Sequence, residues 1–407
     1  MEKNTMKKRK LTIEEGLYLL LAGTALLALI LYVSFCLDNL MHSDTTAEVI
    51  LSKFLADRNE LISKEWFYST EIRVIYTQLV MVPLFKIFSS YRLVKLLSVF
   101  IYYAVLLYAW HMLTKRFTLE KKWIFLGLAL LLAPLSNEYL DMMFIGCFYT
   151  TQTICMYLVL SFVLKEKKNR KMWIREGIVL SILSVLLGMT GLRYLASLYL
   201  PMLLAFLLFP VLERDGNKKE NWQNITFSLL LTGFAGIGFL INKFYLAVQY
   251  SFDTTSEVSF VPIDEIPDRF LTSIRLMLEF MGYHQIRVVT PLGIVNAVKC
   301  LFFLAFIAMI VALFRKRMEL TGKERFLLYF FLLLFLINWY MLIFTDVLQQ
   351  YRYWLPVYVT GAVLICVFMQ HFRPATVFQK PLLCAFLALV VLSSLYGDCL
   401  LYTSDAA

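Results

Sequence analysis

Apolar residues run along this chain in blocks close to the length that crosses a bilayer, about 20 residues each, with short charged connections between them. The blocks fall at 16–37, 91–113, 123–135, 147–164, 178–190, 196–211, 225–248, 292–314, 326–344, 356–369 and 381–396. Each predicts a membrane-crossing helix, so the expected fold is an all-α polytopic membrane protein with about eleven crossings. Two longer polar stretches, 38–90 and 249–291, interrupt the rhythm. Within the first, VIYTQLVMVPLFKIF (74–88) is only about three-quarters of a normal span, and Pro83 and Lys86 interrupt it.

Composition agrees with the pattern. The chain is 60% hydrophobic and 16% aromatic with 17% charged residues. No soluble fold buries that much apolar surface. The net charge of +10 does not point to nucleic acid, because the Lys and Arg residues sit in short connections, as the positive-inside rule describes. Residues 1–15 form a basic cytoplasmic tail, so the first crossing runs outward. A cleaved signal peptide is the alternative, but the run is too long and lacks a small-residue cleavage site. If 74–88 crossed, the basic connection TKRFTLEKK would lie outside; laid along the interface, it leaves that connection inside and brings every later basic connection into agreement. Seven scattered cysteines, with no CxxC pair, read as small hydrophobes. The membrane domain is taken as 16–397. The last residues, 398–407, end in CLLYTSDAA, which resembles translated sequencing-adapter sequence, so a non-native tail is expected there, with a short polar tail as the alternative.

Candidate chemistry gathers in the polar connections predicted to lie outside. The stretch 42–73 is long and mixed in sign, and Asp44, Glu48 and Glu71 place carboxylates beside the membrane, where ionised groups are costly without a partner. Asp44 opens a helix-like run in which Ile50, Leu51, Phe54 and Leu55 share a face, and Thr45 and Glu48 are spaced as in a capping box. Asp44 and Glu48 therefore have two readings, as caps of a surface helix or as general-base carboxylates for an external acceptor. Glu138, Tyr139 and Asp141 form a second acidic group, which as a lone pair reads as a solvated turn. Arg193 lies in a very short turn, and Arg352 lies between Tyr351 and Tyr353 just before a crossing. Such residues snorkel to headgroups or grip a phosphate by bidentate hydrogen bonds.

On these residues the order of parts resembles the GT-C superfamily of membrane glycosyltransferases, which includes protein O-mannosyltransferases and the lipid A aminoarabinose transferase. HSDTTAE places Asp44 in the family's acidic position with Glu48 four residues on. The juxtamembrane helices would be 45–62 and 74–88, and Asp141 in NEYLDMMF would be the second Asp. QQYRYWLPVY is similar to the Arg-Tyr-then-Pro pattern before a late crossing. The resemblance implies a GT-C type bundle in a bacterial plasma membrane, N-terminus cytoplasmic. It would transfer a sugar from a polyprenyl-phosphate donor to a glycan, lipid or protein acceptor on the outer face. It casts Asp44 as an inverting base, with Glu48 and Asp141 beside it. Arg352, with Arg193 or Arg287, would hold the leaving phosphate; Glu71, Tyr351, Tyr353, Tyr283 and His284 would shape the site. The one cofactor it brings in is a divalent metal, although the first motif lacks the adjacent acidic pair of many members, and the family's Pro-Pro signature is represented only by Pro83. Competing classes are a lipid-linked sugar flippase or other transporter, and a polysaccharide polymerase or ligase.

Overall fold

A computed structural model describes residues 11–68, 72–165, 170–212, 218–252, 259–283, 290–347 and 349–404. The chain is a helical membrane bundle. Its helices are α1 (Ile13–Cys36), α2 (Ser43–Arg58), α3 (Gln78–Phe85), α4 (Tyr91–Thr114), α5 (Lys121–Leu132), α6 (Asn137–Leu140), α7 (Thr150–Val163), α8 (Arg170–Gly188) and α9 (Leu192–Tyr194). They continue as α10 (Leu200–Leu212), α11 (Lys218–Ile241), α12 (Ala247–Gln249), α13 (Ile266–Phe280), α14 (Pro291–Arg315), α15 (Gly322–Phe344), α16 (Leu355–His371) and α17 (Gln379–Ser404). Among the described residues, eight helices are long and apolar enough to cross a bilayer, or nine if α5 and the bent segment after it count as one span. Of the remaining predicted blocks, α7 has 14 residues and α8 carries charged residues through its first two turns.

Helix α16 is the axis of the bundle. Every residue from Leu355 to Met369 is buried, because other helices surround it on all sides. Peripheral helices α8 and α11 cross at closest approach through Gly188 and Gly238. A Cβ on Gly188 would lie 2.0 Å from the Ala235 carbonyl oxygen, and one on Gly238 would lie 2.0 Å from that of Val185. Small residues of this kind let two helix backbones touch in a membrane.

Helix α5 breaks at Pro134. Proline has no N–H to continue the ladder and holds Ala133 extended, at ψ 120°. The chain restarts with Ser136 as N-cap of α6, runs through a π turn at Asp141–Ile145, and leaves at 104° to α5. A broken helix frees carbonyls that a membrane interior cannot hydrate. Here buried side chains take them. Tyr358 Oη donates to Leu130 O (2.7 Å), Tyr139 Oη to Leu131 O (2.6 Å) and Lys299 Nζ to Leu135 O (2.5 Å). On the far side of the bend, Thr150 donates to Met143 O, Tyr103 Oη to Phe144 O (2.8 Å) and Lys95 Nζ to Gly146 O (3.3 Å). The two lysines meet the negative ends of two half-helices, where a cation is favoured. NEYLDMMF is therefore no solvated turn: Tyr139, Leu140 and Met142–Ile145 are buried, and only Asn137, Glu138 and Asp141 keep partial exposure.

The first polar segment departs from its predicted boundaries. Helix α2 spans Ser43–Arg58 and stops at Asn59, whose left-handed backbone (φ 55°) ends it. Its buried positions include Thr45, Val49, Leu51, Ser52 and Leu55, whereas Ile50 faces outward at 45% exposure. Helix α3 has 8 residues, about 12 Å of rise, far short of a hydrocarbon core of about 30 Å. Helices α2 and α3 share a small core of their own, with Val49, Leu51, Leu55, Met81, Val82 and Phe85 packed beside Val94 of α4. A parallel pair of two-residue strands, Phe67–Tyr68 with Ser251–Phe252, ties this segment to the second polar segment. Arg269 of α13 then ties the second segment to the last turn of α15 and the chain just after it, donating to Leu342 O (3.3 Å) and Val347 O (2.9 Å).

Candidate active site

The rim of the bundle is formed where α1 ends and α4 and α16 begin. There the chain turns at Met41, and His42 enters α2 with an extended backbone (ψ 178°) as its N-cap. The capping atom is His42 Nδ1, which accepts from the Asp44 N–H at 3.2 Å. A neutral imidazole has one acceptor nitrogen and one N–H. With Nδ1 accepting, Nε2 carries the hydrogen, and it lies 2.9 and 3.0 Å from the two Asp141 oxygens. The expected Thr45–Glu48 capping box is not present. His42 has taken the cap, which leaves Thr45 inside the first turn, fully buried.

That change separates the two candidate carboxylates on α2. Asp44 is exposed at the opening of the rim. Glu48 lies one turn deeper, half-buried, and accepts from Thr77 Oγ1 at 3.2 Å. Burial is the main influence on Glu48 and raises its pKa, while attraction to Arg73, the Thr77 hydrogen bond and attraction to Lys95 oppose that shift. Arg73 in turn lies 4.5 Å over the Tyr76 ring and donates to its hydroxyl at 2.6 Å. Tyr76 stacks on Phe148, ring centres 5.9 Å apart.

The acidic group after α5 faces the same opening. Asp141 holds His42, and Glu138 lies within electrostatic reach of Arg352, Asp141, His42 and Asp44. Arg352 sits in the 3-10 turn Tyr351–Trp354 that leads into α16. It is half-buried, and its buried Nε has no hydrogen-bond partner. Tyr351 lies near the charges of Glu138, Glu279 and Asp141, whereas Tyr353 packs against the bundle core. Arg193, one residue into α9, lies 4.7 Å over the ring of Tyr149, whose buried hydroxyl has no hydrogen-bond partner. Carboxylates and guanidinium groups from residues far apart in sequence thus share one end of the bundle.

Of the expected residues, Asp44, Glu48, Asp141, Tyr351 and Arg352 come together here. Arg193 stands beside them through Tyr149 and Phe148, and Tyr283 follows the end of α13. Glu71, His284 and Arg287 lie outside the described residues. Sequence reasoning missed His42, Arg73 and Lys95. Lys95 carried a readable signal, an ionisable side chain inside the apolar block 91–113. Among the described residues no three His, Cys, Asp or Glu side chains converge closely enough to hold a metal ion. Among the described residues the donors therefore do not fit a divalent metal. No family model, curated protein or solved structure matches this chain.

Proposed function

We propose that this protein transfers a sugar from a polyprenyl-phosphate donor to a hydroxyl acceptor at the outer face of the membrane, on a GT-C type bundle of about eleven crossings with a cytoplasmic N-terminus. The observation that carries the reading is the meeting of Asp44, Glu138, Asp141 and Arg352 at one rim of a membrane bundle. A lipid donor lies in the bilayer, so its phosphate reaches the rim from the side while its sugar enters the opening. The acceptor oxygen attacks the anomeric carbon in line and its proton passes to Asp44. The bond from that carbon to the phosphate oxygen breaks, and its electron pair leaves with the phosphate. The sugar inverts. Arg352, with an unpartnered Nε, supplies charge-assisted donors for the leaving oxygen. A transporter is less well supported: it would use the freed carbonyls of its broken helix on the cargo, and here Tyr and Lys side chains occupy them.

Transfer of labelled sugar from a polyprenyl-phosphate donor by the purified chain tests this. Asp44→Asn keeps side-chain size, and the helix cap belongs to His42. The variant is expected to lose activity by roughly 10²–10⁴-fold, the usual contribution of a positioned base, with insertion and melting temperature unchanged. Full activity in Asp44→Asn removes the base and this reading with it.

A further inference from the structure

We propose that His42 is a positioning residue, a neutral imidazole that locks the base-bearing turn of α2 to Asp141 with one ring nitrogen on each. The inference rests on the sugar-transfer reading for its activity tests but not for its structural one. The N-cap of α2 is unusual. Helix N-caps are ordinarily Ser, Thr, Asp or Asn, whose oxygen accepts an N–H of the first turn. Here Nδ1 of His42 does that for Asp44, at 3.2 Å. The opposite nitrogen spans to a carboxylate 99 residues away in sequence, approaching both of its oxygens at 2.9 and 3.0 Å. Phe148 supports the ring edge-on, at 6.3 Å between centres. Thr45 Oγ1 lies 3.1 Å from Nε2. The ring therefore has no nitrogen left for a substrate. His42 is not the base; it sets where the base stands.

Only one protonation state fits both contacts. A second hydrogen, on Nδ1, would point at the Asp44 N–H, donor against donor, and α2 would lose its cap. The same hydrogen would make His42 a cation beside a carboxylate, which strengthens the Asp141 side. That hydrogen would loosen the Asp44 side of the lock while tightening the other. The charged groups around the ring are Asp44 on α2, Asp141 on the π turn and Glu138 on α6, with Lys95 of α4 and Arg352 beyond those carboxylates. The group whose geometry suffers is the proposed base.

Two substitutions divide the two roles. His42→Asn keeps a good N-cap but is too short to hold Asp141; His42→Gln reaches Asp141 but caps poorly. Each is expected to lower transfer by up to about 100-fold, the cost of misplacing a reacting group by about 1 Å. The structural test uses the full chain in detergent with ¹⁵N-labelled histidine, the His42 signals assigned by their loss in His42→Asn. Nδ1 should read as an unprotonated acceptor and Nε2 as N–H at neutral pH. A hydrogen on Nδ1 at neutral or mildly alkaline pH overturns the proposal. So does His42→Ala at wild-type rate in an enzyme that Asp44→Asn inactivates. If Asp44→Asn is itself fully active, sugar transfer by this base falls, and the ring's protonation state alone decides on His42.

Discussion

Asp44 and Glu48 share a face of α2 four residues apart, yet their surroundings give them different chemistry. Asp44 is open to solvent at the rim, while Glu48 is drawn between Thr77, Arg73 and Lys95. Because burial raises the Glu48 pKa, the folded chain holds a proton there that the unfolded chain has released. That window starts at the ordinary Glu value, about 4.3, and ends at the raised one. Stability is therefore greatest below the unfolded value, falls as pH rises through the window, and is flat above it. Glu48→Gln removes the titration. Its melting temperature, measured from mildly acid to neutral pH, should gain on wild type across that range. A constant difference between the two curves would show that Glu48 titrates as a solvated carboxylate does.

At the scale of elements, the break between α5 and α6 is where this fold spends most of its buried polar chemistry. Pro134 ends α5, and six side chains from five elements or their flanks then satisfy the carbonyls on either side. The break holds Glu138 and Asp141 at the rim, so it is the support of the candidate site as well as a bend in a helix. Tyr139 is fully buried and its hydroxyl serves Leu131 O. Tyr139→Phe leaves that carbonyl without its donor and should cost about 1–3 kcal/mol, seen as a lower melting temperature. An unchanged melting temperature would mean that the carbonyl has another donor. Helix α3 shows how far local reasoning carries at this scale. Its composition and Pro83 marked 74–88 as too short to cross, and the helix formed is shorter still.

For the whole molecule, eight or nine candidate spans and a rim of paired charges make an integral membrane protein with one chemically distinctive end. The side on which that end lies is the next thing to measure. Ala47 on α2 and Lys115 after α4 are both exposed. With the active rim outside, Ala47→Cys should react with an impermeant thiol reagent in intact cells, and Lys115→Cys only after permeabilisation. The reverse pattern would place the rim in the cytoplasm and exclude an external acceptor.

Length and apolar composition are local quantities, and they determined the class of this protein: a helical membrane bundle, its blocks nearly where the helices lie, α3 too short to cross, and Arg352 at the mouth of a late helix. The start of α2 shifted because His42, whose ring can accept as an Asn or Asp oxygen does, captured the cap that Thr45 was expected to share with Glu48, and its end shifted to the left-handed Asn59. What the tertiary structure decided was partnership. His42 and Asp141, and Lys299 and the end of α5, are distant in sequence, and no periodicity or spacing encodes which of them meet. A charge left in a dry interior is costly until it finds its opposite or a carbonyl, and only the packed bundle determines which one it finds.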